Sequence, residues 1–142
     1  MPKTVTALEI KQIIRNIAQE YAKHMNARNV DQVVAFYAVD GRVLAPFKPM
    51  VQGHKAIRQL VEEMFKEADP RNLSIETQNV EVAENLAFSD GIYSMIATLP
   101  TGKRMDYRGT WVTTLRREGP ADWKIVSHIY NTDLPMTDFL KK

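Results

Sequence analysis

The residues best able to do chemistry crowd the stretch WKIVSHIYNTDLP, from Trp123 to Pro135. On a strand, side chains alternate between faces, so His128, Tyr130 and Thr132 share one face and Asn131 turns to the other. An imidazole with an ordinary pKa of about 6.5 is the side chain best suited to carry protons near neutrality. A phenol and a hydroxyl beside it could hold an oxygen atom of a ligand. The competing use of the same residues is structural, with His128 satisfied by one core hydrogen bond or set at a subunit contact.

The preceding stretch, RMDYRGTWVTTLRRE, sorts in the same way, with Tyr107, Trp111 and Thr113 on one face and Asp106, Arg108 and Thr110 on the other. The first set would make an aromatic wall for a flat or hydrophobic ligand, or would fill a core. Asp106 with Arg108 could form an acid–guanidinium couple, or an ordinary solvated pair. A bulge would exchange the two faces. Asp90, in FSDGIY, is a further acid that could point inwards, although Gly91 beside it also fits a bulge. Tyr37, Phe47 and Phe65 are apolar candidates for the floor and mouth of a binding site, and their positions suit packing as well.

Several chemistries lack the residues they require. The chain has no cysteine, which removes thiol nucleophiles, disulfides and thiolate metal sites. His24, His54 and His128 are not spaced to present paired ligands, and no glycine-rich phosphate loop is present, so neither a metal nor a cofactor is expected. Nineteen Lys and Arg against 17 Asp and Glu leave a net charge of +2 with no basic stripe, which argues against a nucleic-acid partner. The N-terminal residues are interrupted by charge, and no run approaches the ~18 apolar residues of a membrane span. A soluble, cytoplasmic protein is the expectation.

The elements that must position these side chains follow from periodicity. Leu8, Ile10, Ile13, Ile14, Ile17, Ala18, Tyr21, Ala22 and Met25 form the apolar stripe of an amphipathic helix, and Thr6 with Glu9 suggests a capping box. NVDQVVAFYA predicts a second, short helix, RVLAP a brief strand, FKPMVQG a loop, and HKAIRQLVEEMFKEA a third helix. From Leu73 onward the pattern alternates at period two, with breaks at Glu84-Asn85, Pro100 to Lys103 and Glu118 to Asp122, which predicts four long antiparallel strands. Helices segregated from strands imply an α+β fold with helices on one face of a curved sheet. A single domain over residues 1–142, with a core of about 7–135, is expected.

Three phrases carry a family resemblance: FYAVDGRVLAP (36–46), VQGHKAIRQLVEEMF (51–65) and the terminal WKIVSHIYNTDLP. In their order and content they resemble the nuclear transport factor 2-like superfamily, in particular its SnoaL-like, ketosteroid isomerase-related proteins. The resemblance implies a cone-shaped, cystatin-like fold: three helices on a curved antiparallel sheet with a mixed edge, enclosing a pocket into which His128 would look. It places Tyr21 where ketosteroid isomerases keep an oxyanion-donating tyrosine. Their aspartate base is matched by Ala45 and their second acid by Thr113, so steroid isomerisation is disfavoured.

Two functions lead, ahead of a protein-interaction adaptor like the transport factor itself. One is a cofactor-independent isomerase, lyase or cyclase acting on a hydrophobic or aromatic carbonyl compound, with His128, Tyr21, Asp106 and Asp90 as catalytic candidates and Tyr130, Trp111, Tyr107, Thr113, Tyr37, Phe47 and Phe65 as binding candidates. The other is a non-catalytic ligand-binding or dimerisation module. The resemblance also implies a homodimer through the outer face of the sheet.

Overall fold

The computed structural model describes residues 5–135. The first helix, α1 (Ala7–Asn26), starts where Thr6 accepts a hydrogen bond from the Glu9 amide at 3.1 Å, one half of the expected capping box. Its buried face runs through Ile10, Ile14, Ala22 and Met25, while Leu8 stands 79% exposed outside the stripe. A short α2 (Val30–Ala35) follows, then β1 (Tyr37–Leu44), β2 (Val51–Gln52) and α3 (His54–Glu67). Four long strands follow: β3 (Arg71–Ala83), β4 (Leu86–Thr98), β5 (Arg104–Gly119) and β6 (Asp122–Tyr130).

Two expectations are corrected in the first half. The second helix stops at Ala35, and Tyr37-Ala38 open β1 rather than close α2. The aromatic pair Phe36-Tyr37 suits a strand, and the sheet claims it directly: the Ile125 amide donates to the Phe36 carbonyl at 2.9 Å. The loop after β1 also contains a strand, because Val51 and Gln52 pair antiparallel with Val43 and Arg42.

The six strands form one mixed sheet in the order β2-β1-β6-β5-β4-β3, with β1 parallel to β6 and every other pair antiparallel. The helices lie on one face, which makes that face the floor of the core. Ile14, Met25, Val33, Ile57, Val61, Leu115, Trp123 and Ile125 are buried there together. The edge strand β3 would expose a row of unpaired backbone groups, a common aggregation hazard. Here α1 covers it. Arg15 donates to the Thr77 carbonyl, Gln19 to that of Ile75, and Asn26 exchanges two hydrogen bonds with Leu73. The polar side of the helix is thereby sewn to the strand, and its apolar side is held over the concave face.

Candidate active site

The concave face is layered by cross-strand register. Leu115 of β5 lies opposite Ile125 of β6 and Ala87 of β4, an apolar layer at the base. The next row pairs Ser89 with Thr113 and Thr113 with His128, and His128 in turn with Val43 of β1. The row beyond pairs Gly91 with Trp111 and Trp111 with Tyr130. The Ser89, Thr113 and His128 row therefore forms a polar band between an apolar base and an aromatic wall.

A β-bulge makes this layering possible. Between the pairs Thr114–Ser127 and Leu115–Ile125, β6 carries one extra residue, Val126. Simple alternation would put Ile125 and His128 on opposite faces. The extra residue returns both to the concave side. Gly91 meets a second local demand, since a Cβ there would stand 1.8 Å from the Glu76 carbonyl oxygen and 3.0 Å from the Trp111 ring. The absent side chain lets β3 cross closely and gives the indole its place, where Trp111 Nε1 donates to the Ile92 carbonyl at 3.1 Å.

Helices and sheet enclose a cavity of about 90 Å³. Its walls include Ile14, Ile17 and Met25 of α1, Leu60 and Met64 of α3, and Ile75 and Met95 of the sheet. The polar lining consists of Tyr21, Tyr37, Ser89, Tyr93, Trp111, Thr113, His128 and Tyr130. No Asp, Glu, Lys or Arg is among the described lining residues.

Three of these side chains form a continuous hydrogen-bonded chain. The Tyr21 and Tyr37 hydroxyls are 2.9 Å apart, and the Tyr37 hydroxyl lies 2.8 Å from His128 Nδ1. Tyr21 stands edge-on to the imidazole with ring centres 5.9 Å apart, and Tyr130 packs against its other side at 5.2 Å. A second polar pair, Ser89 and Thr113, joins hydroxyls at 2.7 Å. Tyr93 donates to the Asn131 carbonyl at 2.6 Å, which ties the end of β6 to the aromatic wall.

Burial keeps these groups uncharged. Loss of solvent pushes His128 down to about 4, so it is a neutral imidazole at pH 7. This corrects the premise of a near-neutral titration. The same desolvation pushes Tyr21 up to about 12, against a small lowering from its bond to Tyr37. Tyr37, Tyr93 and Tyr130 are also raised, in each case chiefly by desolvation. The site offers hydrogen bonds and neutral proton positions, without a standing charge.

The structure brings together His128, Tyr21, Tyr130, Trp111, Thr113 and Tyr37 of the expected set. Tyr107 lies just beyond the cavity lining, against Tyr93 at a ring separation of 6.2 Å, with hydrogen bonds to Thr132 and Tyr93. Thr132 stays at the rim and donates to the Arg108 carbonyl. Asp106 is exposed on the convex face, because it alternates with the inward-facing Tyr107. Asp90 is also convex, opposite Val112 and bonded to the Asn79 amide at 2.9 Å. Phe47 is 59% exposed in the turn between β1 and β2. Phe65 packs beside the cavity's outer shell under the Arg28 guanidinium, 4.6 Å from the ring centre. Neither acid is placed for catalysis in this cavity, and neither phenylalanine lines it.

Ser89, Tyr93 and Met95 are lining residues that sequence reasoning missed. A signal existed, since Ser89, Gly91, Tyr93 and Met95 alternate with Asp90, Ile92 and Ser94. Both faces of β4 carry apolar residues, however, with Phe88 and Ile92 outside and Ala87 and Tyr93 inside. Period two alone does not choose between them. Among the described residues no group of three or more His, Asp or Glu stands close enough to hold a metal ion. No described helix is long and apolar enough to cross a membrane.

The SnoaL-like domain model matches residues 18–128. A ketosteroid isomerase-like protein from Erwinia carotovora atroseptica superposes with a TM-score of 0.83 at 19% identity, over 92% of this chain and 100% of that one. A nuclear transport factor 2-like superfamily protein from Salmonella enterica gives 0.78 at 13% identity, over 92% and 95%. An NTF2-like protein with a cystatin-like fold from Novosphingobium aromaticivorans gives 0.70 at 16%, over 95% and 90%. No curated protein matches the chain at a significant level. At these identities the structural likenesses establish the fold, and the domain match establishes the family.

Proposed function

The chain belongs to the SnoaL-like family, and from that premise we propose that it takes a small, neutral, largely apolar oxygen-bearing compound into the cone and acts on it as a cofactor-independent isomerase, lyase or cyclase. The observation that carries this reading is the Tyr21–Tyr37–His128 chain, set into a cavity whose described lining carries no charged side chain. Burying an unpaired ionised ligand there would cost many kcal/mol, whereas a carbonyl or hydroxyl finds partners. The volume of about 90 Å³ is below the roughly 300–1,000 Å³ of sites for drug-sized ligands, which favours a compact, single-ring compound over a fused steroid. His128 would hold its oxygen, Tyr21 and His128 would exchange protons with it, and Trp111 and Tyr130 would cover its apolar part.

Trp111 in the wall supplies the assay. Titration with acetophenone, cyclohexanone and benzoate should change tryptophan fluorescence for the two neutral ketones and leave it unchanged for the carboxylate. His128→Gln should weaken ketone binding. Equal binding of benzoate, or no binding of either ketone, would sink the reading.

A second reading, ligand binding without turnover, is favoured by one observation. The position that resembles the ketosteroid isomerase base is Ala45, half-buried against the core, and the described cavity lining contains no carboxylate to replace it. Ligand affinity with no turnover of any bound enolisable compound would select it. In either reading we propose a homodimer through the convex face, supported by Phe88, Ile92, Val112 and Ile129, each 39–48% exposed there. The cytoplasm is the proposed location.

A further inference from the structure

Tyr37 presents one hydroxyl proton to two neighbours, the Tyr21 oxygen at 2.9 Å and His128 Nδ1 at 2.8 Å. It can donate to one only, and must accept from the other. Two arrangements satisfy every member. In the first, Tyr21 donates to Tyr37, Tyr37 donates to Nδ1, and the imidazole proton resides on Nε2. In the second, Nδ1 donates to Tyr37, Tyr37 donates to Tyr21, and the Tyr21 proton is released toward the cavity while Nε2 becomes an acceptor. Both are neutral, and they differ in what the ligand meets. Nε2 makes no hydrogen bond among the described residues, and both His128 and Tyr21 line the cavity.

We propose that Tyr21, Tyr37 and His128 are a charge-neutral proton relay that converts enols to ketones, with Tyr37 as the positioning residue that connects its two ends. This rests on the ligand-binding reading above and names its substrate class: a neutral enol, or the ketone that forms it. The step begins in the second arrangement. The enol hydroxyl gives its proton to Nε2, and its O–H bond becomes the carbonyl. Nδ1 passes its proton to Tyr37, Tyr37 passes its own to Tyr21, and Tyr21 protonates the enol carbon as the C=C bond is consumed. One proton leaves the ligand and one arrives, no ion forms, and the protein ends in the first arrangement. After release Nε2 gives its proton to water, Tyr21 takes one from water, and the Tyr21 and Tyr37 protons pass back to Tyr37 and Nδ1, which restores the start.

The physical advantage lies in avoiding charge. A stepwise route through imidazolium or phenolate would place an ion in a cavity that strongly disfavours it. The alignment of three groups substitutes for the carboxylate base that Ala45 does not supply. Of the described polar lining, only these three form an unbroken chain with both ends on the cavity; Ser89 and Thr113 bond to each other.

The test uses acetylacetone, a neutral compound with a strongly absorbing enol, together with phenol and cyclohexanone as fixed donor and acceptor probes. Wild-type protein should accelerate loss of the enol absorbance with a solvent deuterium effect that grows non-linearly with deuterium fraction, the mark of several protons moving together. In ¹⁵N spectra of labelled histidine, with His128 assigned by His128→Gln, phenol should hold the Nδ1–H form and cyclohexanone the Nε2–H form. Tyr37→Phe should keep KM within a factor of two while kcat falls by roughly 10²-fold, a loss typical of removed proton transfer. Tyr21→Phe, which leaves the Tyr37–His128 bond intact, should lose the same acceleration.

Binding of all three probes with one unchanging His128 tautomer, or unaltered kcat in Tyr37→Phe, would overturn the relay and leave the binding reading standing. Failure of all three to bind would overturn both.

Discussion

The two faces of β4, β5 and β6 are built from adjacent residues and treat polar groups in opposite ways. On the convex face Arg116 reaches Asp40 at 2.9 Å and Glu118 at 3.5 Å in open solvent, and the guanidinium holds the Asp40 carboxyl below its usual range. On the concave face, one residue away along the same strands, His128 and the tyrosines are held neutral by loss of water. Charge is tolerated where solvent shares the work, and surface pairs of this kind contribute little to stability. Inside, loss of water disfavours any ionised group, which is why hydroxyls and one imidazole occupy the band that carboxylates and guanidiniums could have filled. The chemistry open to the cavity follows from that exclusion.

A charge moved from the convex to the concave face should have the largest effect. Ser89→Asp, in the buried hydroxyl pair, should lower stability at pH 7 by on the order of 3 kcal/mol or more, measured by chemical denaturation. A buried carboxyl has a raised folded-state pKa, so the loss should grow as the pH rises through that value. Thr114→Asp, facing out one residue from Thr113, should change stability by no more than about 0.5 kcal/mol. Equal penalties in the two variants would mean that the faces do not differ as described.

The next effect is intrinsic to the wild type. His128 has a depressed folded-state pKa, about 4 against an ordinary 6.5, so the unfolded chain binds more protons between those values. Stability should be fully present above about pH 6.5 and fall as the pH drops toward 4, by on the order of 3 kcal/mol at ~1.4 kcal/mol per pKa unit. His128→Gln should flatten that part of the pH profile. A profile unchanged by the substitution would show that His128 titrates normally.

Gly91→Ala probes the concave curvature itself. With 1.8 Å between its Cβ and the Glu76 carbonyl, the β3 backbone must shift, at a cost of roughly 1–3 kcal/mol and with weakened ligand binding at Trp111. Ordinary stability and unchanged Trp111 fluorescence would contradict the close crossing. The smallest effect on the folded chain is expected for Ile129→Glu, 48% exposed on the convex face. Monomer stability should change by at most about 0.5 kcal/mol, while light scattering should show loss of the proposed dimer.

Much of this arrangement was legible in the residues. The stripe through Ile10, Ile14 and Met25, the turns at Glu84-Asn85 and Pro100–Lys103, and the alternation of the last four strands lie where periodicity places them. His128, Tyr130, Trp111 and Thr113 share the cavity as alternation suggests. The acids were harder to assign. Asp90 and Asp106 are plausible general bases by type, and only the side on which the helices lie made them convex. Tyr37 was ambiguous for another reason: VVAFYA satisfies a helix locally, and the bond from the Ile125 amide to Phe36 decides for a strand.

The sequence alone carries the α+β class, the number of long strands and the family phrases, because these rest on local periodicity and turn chemistry. It also determined that no thiol could serve as a nucleophile or ligand, because composition alone settles that. The extra residue at Val126 that sets His128 beside the core, the hydrogen-bonded line from Tyr21 to His128 across residues 107 positions apart, and the shift of the imidazole down to about 4 arise only once the chain has folded. Register, long-range hydrogen bonding and desolvation depend on which surfaces meet, and no local pattern of residue types contains that information.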